Sequence, residues 1–182
     1  MNDLIILALL FDRPKHGYQL KREAGFILGQ AEMHNNLVYP LLRRFTSQGW
    51  VSKKAIPGQR GQTRQQYALT AKGRKELVQR LAEYSDQDAR SPHAFATRVG
   101  MFELLKPEAR LLILGKREAH LRRREERLAG LKANMDVGTY GAEVVRFFAE
   151  QGQAEMAWIE RLRRMAKQKP RGRSGAADAT VR

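Results

Sequence analysis

The chain has no cysteine among its 182 residues. Disulfide staples, thiolate metal sites and cysteine nucleophiles are therefore excluded, and a reducing compartment is allowed. Long hydrophobic runs are missing too: the longest, Leu4 to Phe11, is eight residues, against the roughly 20 that a membrane-spanning helix requires. Asp3 stands before that run where a secretory signal carries basic residues, and no small-residue cleavage site follows it. The expected location is cytoplasmic, with no membrane partner. Catalytic motifs are equally scarce. The four histidines, His16, His34, His93 and His120, have no metal-ligand spacing, and the glycine patterns of phosphate loops, dinucleotide sites and serine-hydrolase elbows are absent. Glu125 and Glu126 are adjacent, so on a helix they point in different directions and make a poor acid–base pair. The expectation is a protein that is not an enzyme, with no catalytic residues, no metal and no cofactor.

Acidic residues are the next shortage. The chain carries 34 Lys plus Arg against 19 Asp plus Glu, a net charge of +15. Between residues 33 and 75 stand nine basic side chains, Arg43, Arg44, Lys53, Lys54, Arg60, Arg64, Lys72, Arg74 and Lys75, and not one carboxylate. Solvated faces ordinarily mix both signs, so 43 residues without an acid point to a surface that meets a polyanion. A second excess, eight basic residues against one acid from 161 onward, falls mostly in the stretch KQKPRGRSGAADATVR. Its small residues and lack of apolar periodicity predict a disordered basic tail over 167–182, able to add attraction without specificity.

What is present is helical periodicity interrupted by one hairpin. Hydrophobic content of 42% suits a globular fold. Asp3 is placed to cap a first helix over Leu4 to Phe11, and a second begins at Gly17 with Leu20, Ala24, Ile27 and Leu28 facing inward. A third segment, about Asn35 to Gln48, puts Leu37, Val38, Leu41, Leu42 and Phe45 on one face, and Gly49 can stop it. Pro40 lies inside it, and propensity alone would start that helix near Leu41. Trp50 to Ile56 and Thr63 to Thr70 flank the turn residues Pro57 to Gln62 and read as a hairpin. A fourth helix opens at Thr70-Ala71-Lys72-Gly73 and runs through Leu77 and Leu81 to Tyr84. Three helices followed by a basic hairpin form a winged helix-turn-helix, whose third helix enters the major groove of DNA.

The outward row of that third helix is Asn36, Tyr39, Arg43 and Ser47, flanked by Asn35 and Arg44. Asn pairs bidentate with adenine and Arg with guanine, so Asn35, Asn36 and Arg43 are the candidates for base edges. Tyr39, Arg44, Lys53, Lys54, Arg60, Thr63 and Arg64 are assigned mainly to phosphates, and His34 joins the DNA-binding set.

Beyond the polar stretch SDQDARSP the pattern is helical throughout. A short helix is expected over Ala96 to Leu105, a long one from Pro107 to about Asn134, and a last one from about Ala142 to Ala166 after the loop-like MDVGTYG. Leu114, Leu121, Leu128 and Met135 recur every seven residues along the long helix, amid densely charged neighbours. So narrow an apolar seam buries little alone and favours a partner helix. Leu114, Leu121, Leu128, Phe148, Met156, Trp158, Ile159 and Leu162 are therefore assigned to a symmetric dimer interface. The fold class is mainly α: an N-terminal winged helix-turn-helix with a two-stranded wing, then a C-terminal antiparallel helical dimerisation arm. The expected domains are 1–84 for DNA binding, 85–94 as a connection, 95–166 for dimerisation and 167–182 as the tail.

Three stretches carry a family likeness: His16-Gly17-Tyr18, Val38-Tyr39-Pro40-Leu41-Leu42-Arg43-Arg44 with Gly49, and Tyr67-Ala68-Leu69-Thr70-Ala71-Lys72-Gly73. With FATRVGMFELLKPEAR and EMAWIERLRR behind them, the chain from Leu4 to Ala166 resembles the PadR family of bacterial transcriptional regulators. That family carries a proline in its recognition helix, which places Pro40 inside the third helix rather than before it. The resemblance implies a dimeric repressor on double-stranded DNA, bound at an inverted-repeat operator and released by a small aromatic or phenolic effector. No effector-binding residue follows from it. Met33-His34-Asn35-Asn36 and Gly61-Gln62-Thr63-Arg64-Gln65-Gln66 depart from the family's usual segments, so the operator sequence does not carry over. The rival readings are an RNA-binding winged-helix protein and a nonspecific DNA-architectural protein.

Overall fold

The structure is a computed structural model that describes residues 1–57, 63–134 and 138–167. Arg60, Met135 and the tail from 168 onward lie outside the described residues. The helices are α1 (Asn2–Asp12), α2 (Gly17–Ile27), α3 (Asn35–Ser47), α4 (Ala71–Ala82), α5 (Asp86–Ala89), α6 (Pro92–Val99), α7 (Pro107–Asn134) and α8 (Gly138–Ala166), with strands β1 (Lys15–His16), β2 (Val51–Pro57) and β3 (Thr63–Leu69).

The first helix buries Leu4, Ile5, Ile6, Leu7 and Leu10, so it is apolar almost all round, as a helix at the centre of a small domain must be. Asp3 does not cap it. The N-cap is Met1, and the Asp3 carboxylate, inside the first turn, instead accepts from Arg44 of α3 and from Arg80 of α4, the latter at 3.4 Å. Two guanidiniums from other helices attract the carboxylate more strongly than a pair of backbone amides does.

Helix α3 includes Pro40, with its start at Asn35 rather than Leu41. One backbone bond is lost there, while burial of Val38, Leu42 and Phe45 supplies the offsetting apolar contact. Leu37 departs from the expected inward face: it is 42% exposed, because it lies about 100° round the helix from Val38, past the edge of the buried stripe. Gly49 follows the helix at φ 70°, a left-handed stop that glycine adopts without strain.

The wing gains a strand. Two residues, Lys15 and His16, pair with Tyr67 and Gln66, giving a three-stranded antiparallel sheet in the order β1-β3-β2. A two-residue strand has no periodicity to read, so the expectation of a two-stranded wing fell short by this edge. Thr70 caps α4 by accepting from the Gly73 amide at 3.0 Å, and its hydroxyl donates to the Gly49 carbonyl at 2.7 Å. Gly73 is needed for this junction, since a Cβ there would lie 2.0 Å from the Trp50 carbonyl oxygen.

The connection over 85–94 is itself folded. Ser85 caps α5 and Ser91 caps α6, whose N1 residue is Pro92; α6 therefore starts four residues before the expected Ala96 and ends at Val99. Helices α7 and α8 then run antiparallel against each other. Arg117 and Glu155 join them by two 2.7 Å hydrogen bonds, and Arg163 of α8 reaches Glu118 of α7. Helix α8 begins at Gly138, four residues before Ala142.

Candidate nucleic-acid interface

Asn35, Asn36, Arg43, Ser47 and His34 are all exposed, so the outer row of α3 stands clear of the core. Among the described residues Arg43, Lys53, Lys54 and Arg64 make no ion pair with a carboxylate, which leaves their charge for a ligand. Arg44 differs: its guanidinium is held by Asp3 and lies 5.4 Å from the Phe45 ring centre. A phosphate would have to compete with Asp3 for it.

The hairpin register sorts the wing. Lys54 sits opposite Gln66 and Ile56 opposite Arg64, so Lys54 and Arg64 share one face. Lys53 sits opposite Tyr67 and Pro57 opposite Thr63, so Lys53 and Thr63 share the other. The sheet thus separates the wing residues of the sequence-based set into two pairs, one on each face.

Tyr39 and Arg64 come together. With His16, Gly17, Tyr18, Gln65 and Tyr67 they line an open cavity of about 570 Å³ between α2, α3 and the wing. Each wall has a local cause. The His16 backbone amide donates to the Gln19 side chain at 2.8 Å, which starts α2, and the His16 ring Nδ1 donates to the Gln65 carbonyl at 3.0 Å. Tyr18 stacks on that ring at 5.7 Å. Gly17 makes room for Tyr39: a Cβ at residue 17 would lie 2.8 Å from Tyr39 Cε1. Burial pushes the Tyr67 hydroxyl up from its ordinary pKa, the neighbouring Tyr39 adds to this, and Arg43 opposes it. Tyr67 is therefore a neutral hydrogen-bonding group beneath the recognition helix. Sequence reasoning gave Tyr18 and Tyr67 no role here; the signal was the repeated aromatic in HGY and YALT, read only as likeness.

In the arm, Leu114, Leu121 and Ile159 are buried within this chain, and Trp158 packs edge-on against Phe95 of α6 at 5.5 Å. Leu128, Met156 and Leu162 are half-buried. Phe148 stays exposed, beside Tyr140, Val144 and Phe147 on α8, and Leu131 is exposed on α7. The seam of α7 thus finds its first partner in α8 of the same chain.

A second open cavity, about 550 Å³, separates α1 from the α4–α6 region and is lined by Asp3, Arg80, Glu83, Tyr84, Asp88 and Arg98, among others. Tyr84 Oη and Arg98 Nε are buried there without a hydrogen-bond partner among the described residues. Burial, the largest influence, pushes the Tyr84 hydroxyl up to about 12, against the lowering effect of Arg117 and Arg98. Among the described residues no group of three His, Asp or Glu could hold a metal, and no helix is long and apolar enough to cross a membrane.

Residues 6–79 match the model of the transcriptional regulator PadR-like family. No curated protein matches the chain. Among solved structures, a protein described as a transcriptional regulator from Thermoplasma acidophilum is 32% identical over 43% of this chain and 74% of its own, with a TM-score of 0.40. PadR from Bacillus subtilis in complex with operator DNA is 19% identical over 91% of this chain and 98% of its own, with a TM-score of 0.43. The Bacillus subtilis PadR complex with p-coumaric acid is 18% identical over the same shares, 91% and 98%, with a TM-score of 0.39.

Proposed function

The chain belongs to the PadR-like family of transcriptional regulators, and from that premise we propose that it is a cytoplasmic homodimer that binds double-stranded DNA sequence-specifically. One observation carries the reading: among the described residues Arg43, Lys53, Lys54 and Arg64 make no ion pair with a carboxylate, and they stand on a helix and wing drawn from a 43-residue stretch with no acid. Phosphates take the place of the missing acids, and the exposed row of Asn36, Arg43 and Asn35 supplies the groups that read bases.

Dimerisation rests on the aromatic and aliphatic row of α8, Tyr140, Val144, Phe147 and Phe148, which is exposed among the described residues. Two copies would then hold two recognition helices at a fixed spacing and select an inverted repeat. The family resemblance adds repression relieved by a small aromatic or phenolic effector. The cavity lined by Tyr84 and Arg98 supports that addition through Tyr84, whose hydroxyl has no hydrogen-bond partner among the described residues and is of a kind to meet a phenol; the Arg98 guanidinium is already held by Asp88 and the Ala94 and Glu83 carbonyls.

The test is competition between duplex DNA and structured RNA at matched salt, with affinity followed from low to high ionic strength. The reading expects preference for the duplex and a steep loss with salt, as release of counterions from about 6 to 10 phosphates requires. Preference for RNA, or a flat salt response, would overturn it. Thermal shift against phenolic acids tests the effector separately.

A further inference from the structure

The recognition helix presents, besides its hydrogen-bonding groups, an apolar ridge. Leu37 is 42% exposed in the first turn of α3, and Pro40, one turn further on the same side, is also exposed. Asn36 stands beside Leu37 and Arg43 beyond Pro40, both open to solvent. A helical side chain leans toward the N-terminus, so Leu37 extends over the start of the helix, the end through which a recognition helix meets base edges. Lone exposed leucines are common on protein surfaces. This one lies on the flank of the outward row, about 100° round the helix from Asn36, within the acid-free stretch from 33 to 75.

Of the groups that base pairs display in the major groove, the C5-methyl of thymine is the one an aliphatic side chain recognises. We propose that Leu37, backed by the Pro40 ring, is a specificity-determining residue that reads the methyl group of a thymine in each operator half-site. The inference rests on the proposed DNA-binding function and adds to it an apolar readout that the base-reading candidates Asn35, Asn36 and Arg43, which act through hydrogen bonds, do not supply. Burying one methyl group against Leu37 corresponds to a gain of about fourfold in affinity.

The experiment uses the full chain and a duplex enriched by it from a random library. Each thymine is replaced in turn by uracil, which removes the C5-methyl and leaves the base-pairing edge intact, and affinity is read by fluorescence anisotropy for the native protein, Leu37→Ala and Leu37→Met. The native protein should lose about fourfold at one thymine per half-site. Leu37→Ala should bind thymine and uracil duplexes alike, and Leu37→Met should still discriminate. Indifference of the native protein to every uracil, or an equal loss in Leu37→Ala, would overturn the role of Leu37 while leaving DNA binding intact. Failure to enrich any duplex would overturn the underlying function and this inference with it.

Discussion

Gly17 lies directly against the ring of Tyr39: a Cβ on the glycine would stand 2.8 Å from Cε1 and 3.3 Å from the hydroxyl oxygen. The first helical residue of α2 and the middle of α3 are thus shaped to each other, and the two stretches of family likeness that contain them meet at this contact. The obstructed atoms belong to the far end of a side chain, which can swing aside. Gly17→Ala should therefore leave stability within about 1 kcal/mol of the native protein, helped by the better helix propensity of alanine, while weakening DNA binding as much as Tyr39→Ala does. Thermal melting and anisotropy titration measure the two effects separately. A native affinity in Gly17→Ala would remove Tyr39 from the interface.

Arg43 and Arg64 should fail in different ways. Arg43→Ala should cost about 1 to 3 kcal/mol on the operator and relax one base position, because a guanidinium reading guanine is lost. Arg64→Ala should weaken operator and random duplex alike and flatten the salt dependence by about one phosphate. Titration of both duplexes with both variants separates them; equal losses for Arg43→Ala would make it a phosphate contact.

Much of this domain could be read from residue order, and the exceptions have physical reasons. Val38, Leu42 and Phe45 announce the buried side of α3 by their spacing, and Thr70 announces the cap of α4. The pairing of Lys15 and His16 with β3 could not be read, because it is a contact between residues about 50 apart in sequence held by two positions only. Asp3 was read as a cap because local rules see only neighbours in sequence; the guanidiniums of Arg44 and Arg80 that claim it arrive from other helices. In the site, the outer row of α3 followed from helical geometry, while the cavity joining Tyr39 to His16, Tyr18 and Tyr67 depends on tertiary packing.

Arg117 fastens the arm. Only 1% exposed, it donates to both carboxylate oxygens of Glu155 and to the Ala89 carbonyl, each at 2.7 Å, tying α7 to α8 and α5. Arg117→Met should lower stability by about 3 kcal/mol, since Glu155 loses its partner, and Arg117→Met with Glu155→Leu should recover a good part of that. Urea unfolding of the three proteins checks this; additive losses in the double variant would deny the coupling.

Glu118 adds a pH dependence. Hydrogen bonds from Arg122 and Arg163 hold its carboxyl below the usual carboxylate range. A depressed folded-state value means that the unfolded chain takes up the proton first, so this stabilisation is fully present above about pH 4.3 and is lost as pH falls further, through the folded value. Melting temperatures of the native protein and Glu118→Gln should accordingly differ at pH 6 and converge toward pH 3. A difference that does not change with pH would rule out the carboxylate as its source.

The central claim is that two copies of this chain place two basic recognition helices on specific DNA. Selection of bound fragments from the source genome tests it most directly. The account predicts enrichment of one inverted repeat, with half-site centres separated by roughly one helical turn of DNA or a multiple of it. Enrichment of no motif, or of a single unrepeated site, would contradict it.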